Sequence, residues 1–247
     1  MAIIGKSGCG KSEMLASILP GIAPVFKTVL IATVIHNSPV HLAIRDYFRK
    51  KGVYCGISES PTELRRYVDV AEQMEVVTMA APGLMIFDDF NVGKATGEYW
   101  DFVVHAFTKL RNSGWHFIII AQQPSFLPTI VRNCTTARVL FDCYSKSAIT
   151  SFTKDIIDRV PNRIALATLM DYIKRVQFTY ILVRENPFEV SVGKGNQTRT
   201  VLTEHDVVVP TLKDLMKEMG ATSPTELDAV SKRAQIEAGN TSHLLYQ

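Results

Sequence analysis

The chain opens on a phosphate-binding loop, and no other feature constrains its fold so strongly. Gly5-Lys6-Ser7-Gly8-Cys9-Gly10-Lys11-Ser12 fits G-x-x-x-x-G-K-[ST] at every fixed position. Met1-Ala2-Ile3-Ile4 reads as a short buried strand before it, and Glu13 to Leu19 as a helix after it. That strand–loop–helix setting separates the motif from a glycine-rich turn that matches by chance. The glycines let the backbone wrap an anion while N–H groups at a helix N-terminus point at it. The spacing assigns Lys11 to the β- and γ-phosphates of a nucleoside triphosphate and the Ser12 hydroxyl to Mg²⁺. Only four residues precede the loop. The first strand is therefore expected to be very short, and a start upstream of Met1 stays open.

A chain of 247 residues suits one large α/β domain, or one domain with a small appendage. The formal net charge of +3 permits a nucleic-acid partner without demanding one. It is unevenly placed: 22 of the Lys/Arg and 17 of the Asp/Glu fall within residues 1–196, leaving the remainder net acidic. Any polyanion contact therefore belongs to the main body. Cys9, Cys55, Cys134 and Cys143 lack metal-ligand spacing, and a disulfide at Cys9 would distort the phosphate loop, so a reducing compartment is expected. No uncharged apolar stretch reaches membrane-spanning length, and no signal peptide is legible.

Apolar runs at 27–35, 117–121 and 138–141 predict strands, as does 83–89, which ends in two carboxylates, with a further short strand at 53–57. Helices are predicted between them: at 39–51, from Ser60-Pro61-Thr62-Glu63 to Glu75, and over 97–113, where Trp100, Val103, Val104, Phe107 and Leu110 recur at helical spacing. Pro20 to Pro24 predict a turn, a short helix is expected from Pro124 to about Arg132, and helices fill 145–175. Residues 178–184 and 188–192 read as a hairpin turning at Glu185-Asn186-Pro187. The alternation implies an α/β fold of three layers around a mainly parallel sheet. Residues 1–196 form the ATPase domain in this reading. Residues 197–247 form an extended and helical appendage, with a capping box at Ser223-Pro224-Thr225-Glu226, that is either a solvated tail or a docking element.

A phosphate loop needs a carboxylate on a neighbouring strand for the metal shell, and Leu84-Met85-Ile86-Phe87-Asp88 supplies it. Asp89 is placed either to polarise a water for in-line attack on the γ-phosphate or to cap the following turn. Such a pair favours hydrolysis over transfer to a small molecule. Ile118 to Ala121 ends in Gln122-Gln123, which puts amides at the strand's carboxyl edge, where ligands bind in open α/β sheets. Arg111, before the Asn112-Ser113-Gly114 turn, is either a cation favoured by a helix C-terminus or an arginine finger for a neighbour's γ-phosphate. Arg45, Arg49, Lys50 and Lys51, with Arg65-Arg66, could track phosphates or simply face solvent.

Together these elements resemble the FtsK–HerA branch of RecA-like P-loop ATPases. Within it the chain is most similar to the viral genome-packaging ATPases of the poxvirus, giant-virus, virophage and internal-membrane-phage lineage. The likeness spans about 1–185. It is most specific from Arg111 through Phe117–Ala121, Gln123 and Leu127-Pro128-Thr129-Ile130-Val131-Arg132-Asn133-Cys134-Thr135 to Val139-Leu140-Phe141. The resemblance implies a phosphate cradle at 5–12, Asp88 on the Mg²⁺ shell and Asp89 as base. It also implies Gln123 as γ-phosphate sensor and Arg111 as a finger acting in trans. The cellular members usually carry Asp-Glu where this chain has Asp88-Asp89, which favours the viral branch and weakens the base assignment.

The resemblance further implies a homo-oligomeric ring, hexameric or pentameric, that hydrolyses ATP to move double-stranded DNA into a preformed capsid. Its partners would include a capsid-vertex or membrane-associated capsid protein, and its place the virion or the host cytoplasm. The rival readings are a cellular DNA translocase, a nucleotide-bound structural virion component without turnover, and a small-molecule kinase.

Overall fold

Short apolar runs bounded by turn residues can be satisfied only where both faces of a sheet are covered. The computed structural model describes residues 1–22, 25–35, 37–78, 83–88, 97–110, 114–142, 152, 163–194 and 197–203. They fall into two compact units, Met1–Ile4 with Gly10–Thr135, and Gly5–Cys9 with Thr136–Gln247.

The first unit holds five parallel strands: β1 (Ala2–Ile4), β2 (Thr28–Ala32), β3 (Tyr54–Ser58), β4 (Gly83–Phe87) and β5 (His116–Ala121). Their order is β3-β2-β4-β5-β1. Val29, Leu30, Ile31, Met85, Ile86 and Phe87 are completely buried, as strands covered on both faces must be. Each such side chain contributes roughly 1.5–3 kcal/mol of transfer free energy. The helices are α1 (Lys11–Ile22), α2 (Pro39–Lys50), α3 (Pro61–Thr78), α4 (Gly97–Thr108) and α5 (Thr129–Asn133). Right-handed crossovers put α1 and α2 on one face, because both connections step towards β3. The connections through α3 and α4 step back and put those helices on the other face. The packing agrees: α1 touches α2, and α4 touches both α3 and α5.

Three details depart from the sequence expectation. α1 runs through Pro20 to Ile22 instead of breaking there. A proline so near a helix end removes only one donor. α4 ends at Thr108, short of the predicted 113, and buries Tyr99, Phe102, Val103, Ala106 and Phe107. Trp100 and Val104 are only half-buried, so the apolar stripe is turned by one residue from the predicted one. The predicted helix after β5 is a 3₁₀ turn, Pro124–Phe126, followed by α5. Gly83 admits no side chain, since a Cβ there would sit 2.5 Å from the Trp115 ring.

The second unit is an antiparallel ladder of β6 (Ala137–Leu140), β7 (Thr179–Glu185), β8 (Phe188–Lys194) and β9 (Gln197–Thr203), with α6 (Arg163–Arg175) packed on β7. The predicted hairpin at 178–192 is present as β7 and β8. β9 consists of the first residues of the segment read as an appendage. The rest of that segment, 204–247, lies outside the described residues, as do Cys143 and residues 145–151 and 153–162 of the predicted helical stretch. Arg138, which is buried, forms an ion pair with the partly buried Glu185, and the Phe141 and Tyr180 rings meet at 5.2 Å. Among the described residues, no helix is long and apolar enough to cross a membrane.

Candidate nucleotide site

Register fixes where chemistry can occur. Ile4 pairs with Ala121, Phe87 with Ile119 and Ala32 with Phe87, so the four strands end along one edge. The phosphate loop leaves β1 there, Gln123 follows β5, and Asp88 follows β4. β1, β5 and β4 are consecutive in the sheet. Two inter-strand steps of about 4.8 Å separate the axis of β1 from that of β4. The connection from β1 goes to the opposite face from those of β4 and β5. A reversal of this kind opens a crevice at the carboxyl ends, the usual ligand position in open α/β sheets.

The loop itself is shaped by glycine. Gly8 and Gly10 have φ of 74° and 99°, values that side-chain-bearing residues rarely adopt. The Cys9 N–H reaches back to the Lys6 carbonyl at 3.4 Å, and the Met14 N–H closes on the Gly10 carbonyl at 2.9 Å, which starts α1. Lys11 and Ser12 are the first two residues of α1, where backbone N–H groups have no intrahelical acceptor. Ser7 and Gly8 are exposed, while Lys11 and Ser12 are half-exposed and Cys9 is buried. Gly5 is closely enclosed: a Cβ would meet the Phe141 Cβ at 2.6 Å and the Cys9 Sγ at 2.7 Å. The first turn of the loop is anchored twice on one residue. The Lys6 N–H donates to the Asp142 carbonyl at 2.9 Å, and the Lys6 ammonium pairs with the Asp142 carboxylate.

Asp88 extends β4 by one residue, its N–H donating to the Ala32 carbonyl at 3.0 Å. Its side chain is 1% exposed and its Oδ2 lies 2.8 Å from Nε2 of His41, which is equally buried. Gln123 is extended, at φ −144° and ψ 146°, and half-buried. Its carbonyl accepts the Phe126 N–H at 3.2 Å, which holds the backbone as the chain turns. Asp89 and Arg111 lie outside the described residues.

The donor set suits Mg²⁺. Ser12 and Asp88 offer a hydroxyl and a carboxylate, both hard oxygen ligands. Mg²⁺ typically takes one or two such ligands, keeps several waters and completes its shell with phosphate oxygens. No cluster of three or more His, Cys, Asp or Glu suited to a metal occurs among the described residues.

The sequence reading missed His41 and Asp142. They stand 47 and 136 residues from their partners, and nothing local marks either. The predicted basic cluster divides. Arg49 and Lys50 are exposed at the end of α2, where the helix dipole favours cations. Arg45 pairs with Asp46 at 3.2 Å, and the Arg65 guanidinium lies 5.8 Å from the centre of the Phe102 ring. Cys55 is enclosed, and burial pushes its thiol up to about 12.

No protein-family model matches the sequence, and no curated protein matches it. Solved structures share the fold. B204, the DNA-packaging ATPase from Sulfolobus turreted icosahedral virus, superposes with a TM-score of 0.57 at 13% identity, over 79% of this chain and 97% of its own. The genome packaging NTPase B204 of Sulfolobus turreted icosahedral virus 2, in complex with ATP-gammaS, gives 0.55 at 13% identity over 79% and 96%. The cytoplasmic domain of the Thermomonospora curvata type VII secretion ATPase EccC gives 0.53 at 15% identity, over 90% of this chain but only 28% of that larger one. The likeness is one of fold. It establishes the expected architecture, a RecA-like α/β P-loop fold with a mainly parallel sheet.

Proposed function

We propose that this chain is an ATPase of the FtsK–HerA kind whose hydrolysis of ATP drives double-stranded DNA into a viral capsid. The observation that carries this reading is the adjacency of β1, β5 and β4, which brings the phosphate loop, Gln123 and Asp88 to one edge of the sheet. The fold shared with B204, a packaging ATPase, supports the viral branch. The second reading is a cellular DNA translocase of the same kind, and the fold shared with EccC, a type VII secretion ATPase, keeps a cellular ATPase in view.

In this proposal the backbone N–H groups of 5–12 cradle the phosphates, and Lys11 neutralises charge on the β- and γ-oxygens. Ser12 and Asp88 would hold Mg²⁺, which would offset the negative charge that develops on the transferring phosphoryl group. Gln123 orients the attacking water or reports on the γ-phosphate. Asp89 takes the water's proton as the water oxygen bonds to the γ-phosphorus and the bond to the β-phosphate oxygen breaks, releasing ADP and inorganic phosphate. Arg111 reaches the γ-phosphate bound by a neighbouring subunit, so the site is complete only in a ring. The partners of that ring are duplex DNA and a capsid-vertex or membrane-associated capsid protein.

Displacement of a third strand from a DNA triplex tests the motor directly. ATP-dependent release of the third strand, absent with a non-hydrolysable analogue, is expected. Steady ATP hydrolysis on duplex DNA with no displacement would overturn translocation. The absence of any turnover would favour a nucleotide-bound structural component.

A further inference from the structure

Asp88 is the only carboxylate among the described residues that the proposed function places on the metal, and it does not stand alone. We infer that His41 is a positioning residue for this carboxylate, and that the metal affinity of the nucleotide-bound protein depends on the His41–Asp88 pair. This inference rests on the reading of Asp88 as a metal-shell ligand.

Three observations carry it. The pair is short and well inside hydrogen-bond range, with Nε2 2.8 Å from Oδ2. Both side chains are 1% exposed, so water does not compete for the contact and its geometry is held by packing. The contact also spans two separate parts of the unit. Asp88 ends β4, whereas His41 lies in the first turn of α2, after the connection that leaves β2.

That connection is itself braced. The Thr33 N–H donates to the Ser58 carbonyl at 3.1 Å, and Thr33 Oγ1 accepts the Ile35 N–H at 3.1 Å. His41 Nδ1 lies 3.4 Å from the Ile35 carbonyl oxygen. An ionised carboxylate only accepts, so Nε2 must carry the hydrogen. A donor fixed in this way stops rotation of the carboxylate about its χ2 and aims it along one direction. Side chains that orient a metal ligand in this manner commonly alter metal affinity by 10–100-fold when removed.

The test uses the full chain and Mn²⁺ as the probe, titrated by electron paramagnetic resonance into protein saturated with ATPγS. Nucleotide affinity without metal is measured in parallel, and thermal melting identifies folded variants. Asp88→Asn tests the underlying reading and is expected to weaken Mn²⁺ at least about tenfold; unchanged Mn²⁺ affinity there would remove both the reading and the inference. His41→Ala, and His41→Phe, which keeps the ring volume but has no donor, are expected to weaken Mn²⁺ by roughly 10–100-fold. Metal-free nucleotide affinity should stay within about twofold. His41→Gln keeps an N–H donor and is expected to recover most of the loss. Wild-type Mn²⁺ affinity in a folded Ala or Phe variant, alongside loss in Asp88→Asn, would overturn the positioning role while leaving the metal reading intact. Should neither of those variants fold, ¹⁵N NMR of the imidazole in the wild-type protein decides. A protonated Nε2 is expected, and an unprotonated Nε2 would overturn the inference.

Discussion

Lys11→Ala should lower ATP turnover by about 10³-fold or more while leaving the fold intact. Lys11 is the first residue of α1 and half-exposed, so its truncation opens no core cavity. Its proposed work is electrostatic. As the γ-phosphoryl transfers, negative charge builds on oxygens beside the ammonium, and a positioned cation stabilises that state more than the bound substrate. Removing one preorganised donor from an oxyanion site typically costs 10²–10³-fold, and a full charge adds to that. Unchanged melting temperature together with lost steady-state hydrolysis is the expected pattern. Retained hydrolysis would mean that the loop binds something other than the reacting phosphates.

The second large effect separates two adjacent carboxylates. Asp89→Asn should lower turnover by about 10²–10⁴-fold, the range for loss of a general base. Its affinity for Mg²⁺–ATP should stay near wild type. Asp88→Asn should weaken metal-dependent nucleotide binding as well, because Asp88 is buried at the end of β4 at the same edge as the phosphate loop. Equilibrium binding of a fluorescent ATP analogue with and without Mg²⁺, set beside single-turnover hydrolysis, distinguishes the two. Equal losses of binding in both variants would make Asp89 a metal ligand or a turn cap and remove it as the base.

How much of this was legible in sequence depends on how local the information is. The backbone of the 5–12 loop was legible, because its glycines are contiguous with the helix start: Gly8 and Gly10 take positive φ and α1 begins at Lys11. β4 was read from its observed start because Gly83 punctuates an unbroken apolar run, but the reading carried the strand on through Asp88-Asp89, whereas it ends at Phe87. The buried face of α4 was read one residue out of phase. Apolar residues at 99–100, 102–104 and 106–107 support two overlapping stripes, and only packing against neighbouring elements selects one. The β4-β5-β1 adjacency that assembles the site is a property of topology. So are the His41–Asp88 and Lys6–Asp142 contacts, whose partners meet only after the intervening strands have folded. Arg111 and Asp89 remain assignments from the sequence motif, since both lie outside the described residues.

If the proposed site is shared between subunits, hydrolysis per subunit rises with assembly. Steady-state ATPase rate per subunit, followed across protein concentration with and without duplex DNA, measures it. A ring motor should show a rate that climbs with assembly and again with duplex DNA. The combined rise should be at least about tenfold, a floor set well below the 10³–10⁵ attributed to an arginine finger. A rate per subunit that stays flat across concentration and ignores duplex DNA would contradict both the shared site and the DNA-driven motor.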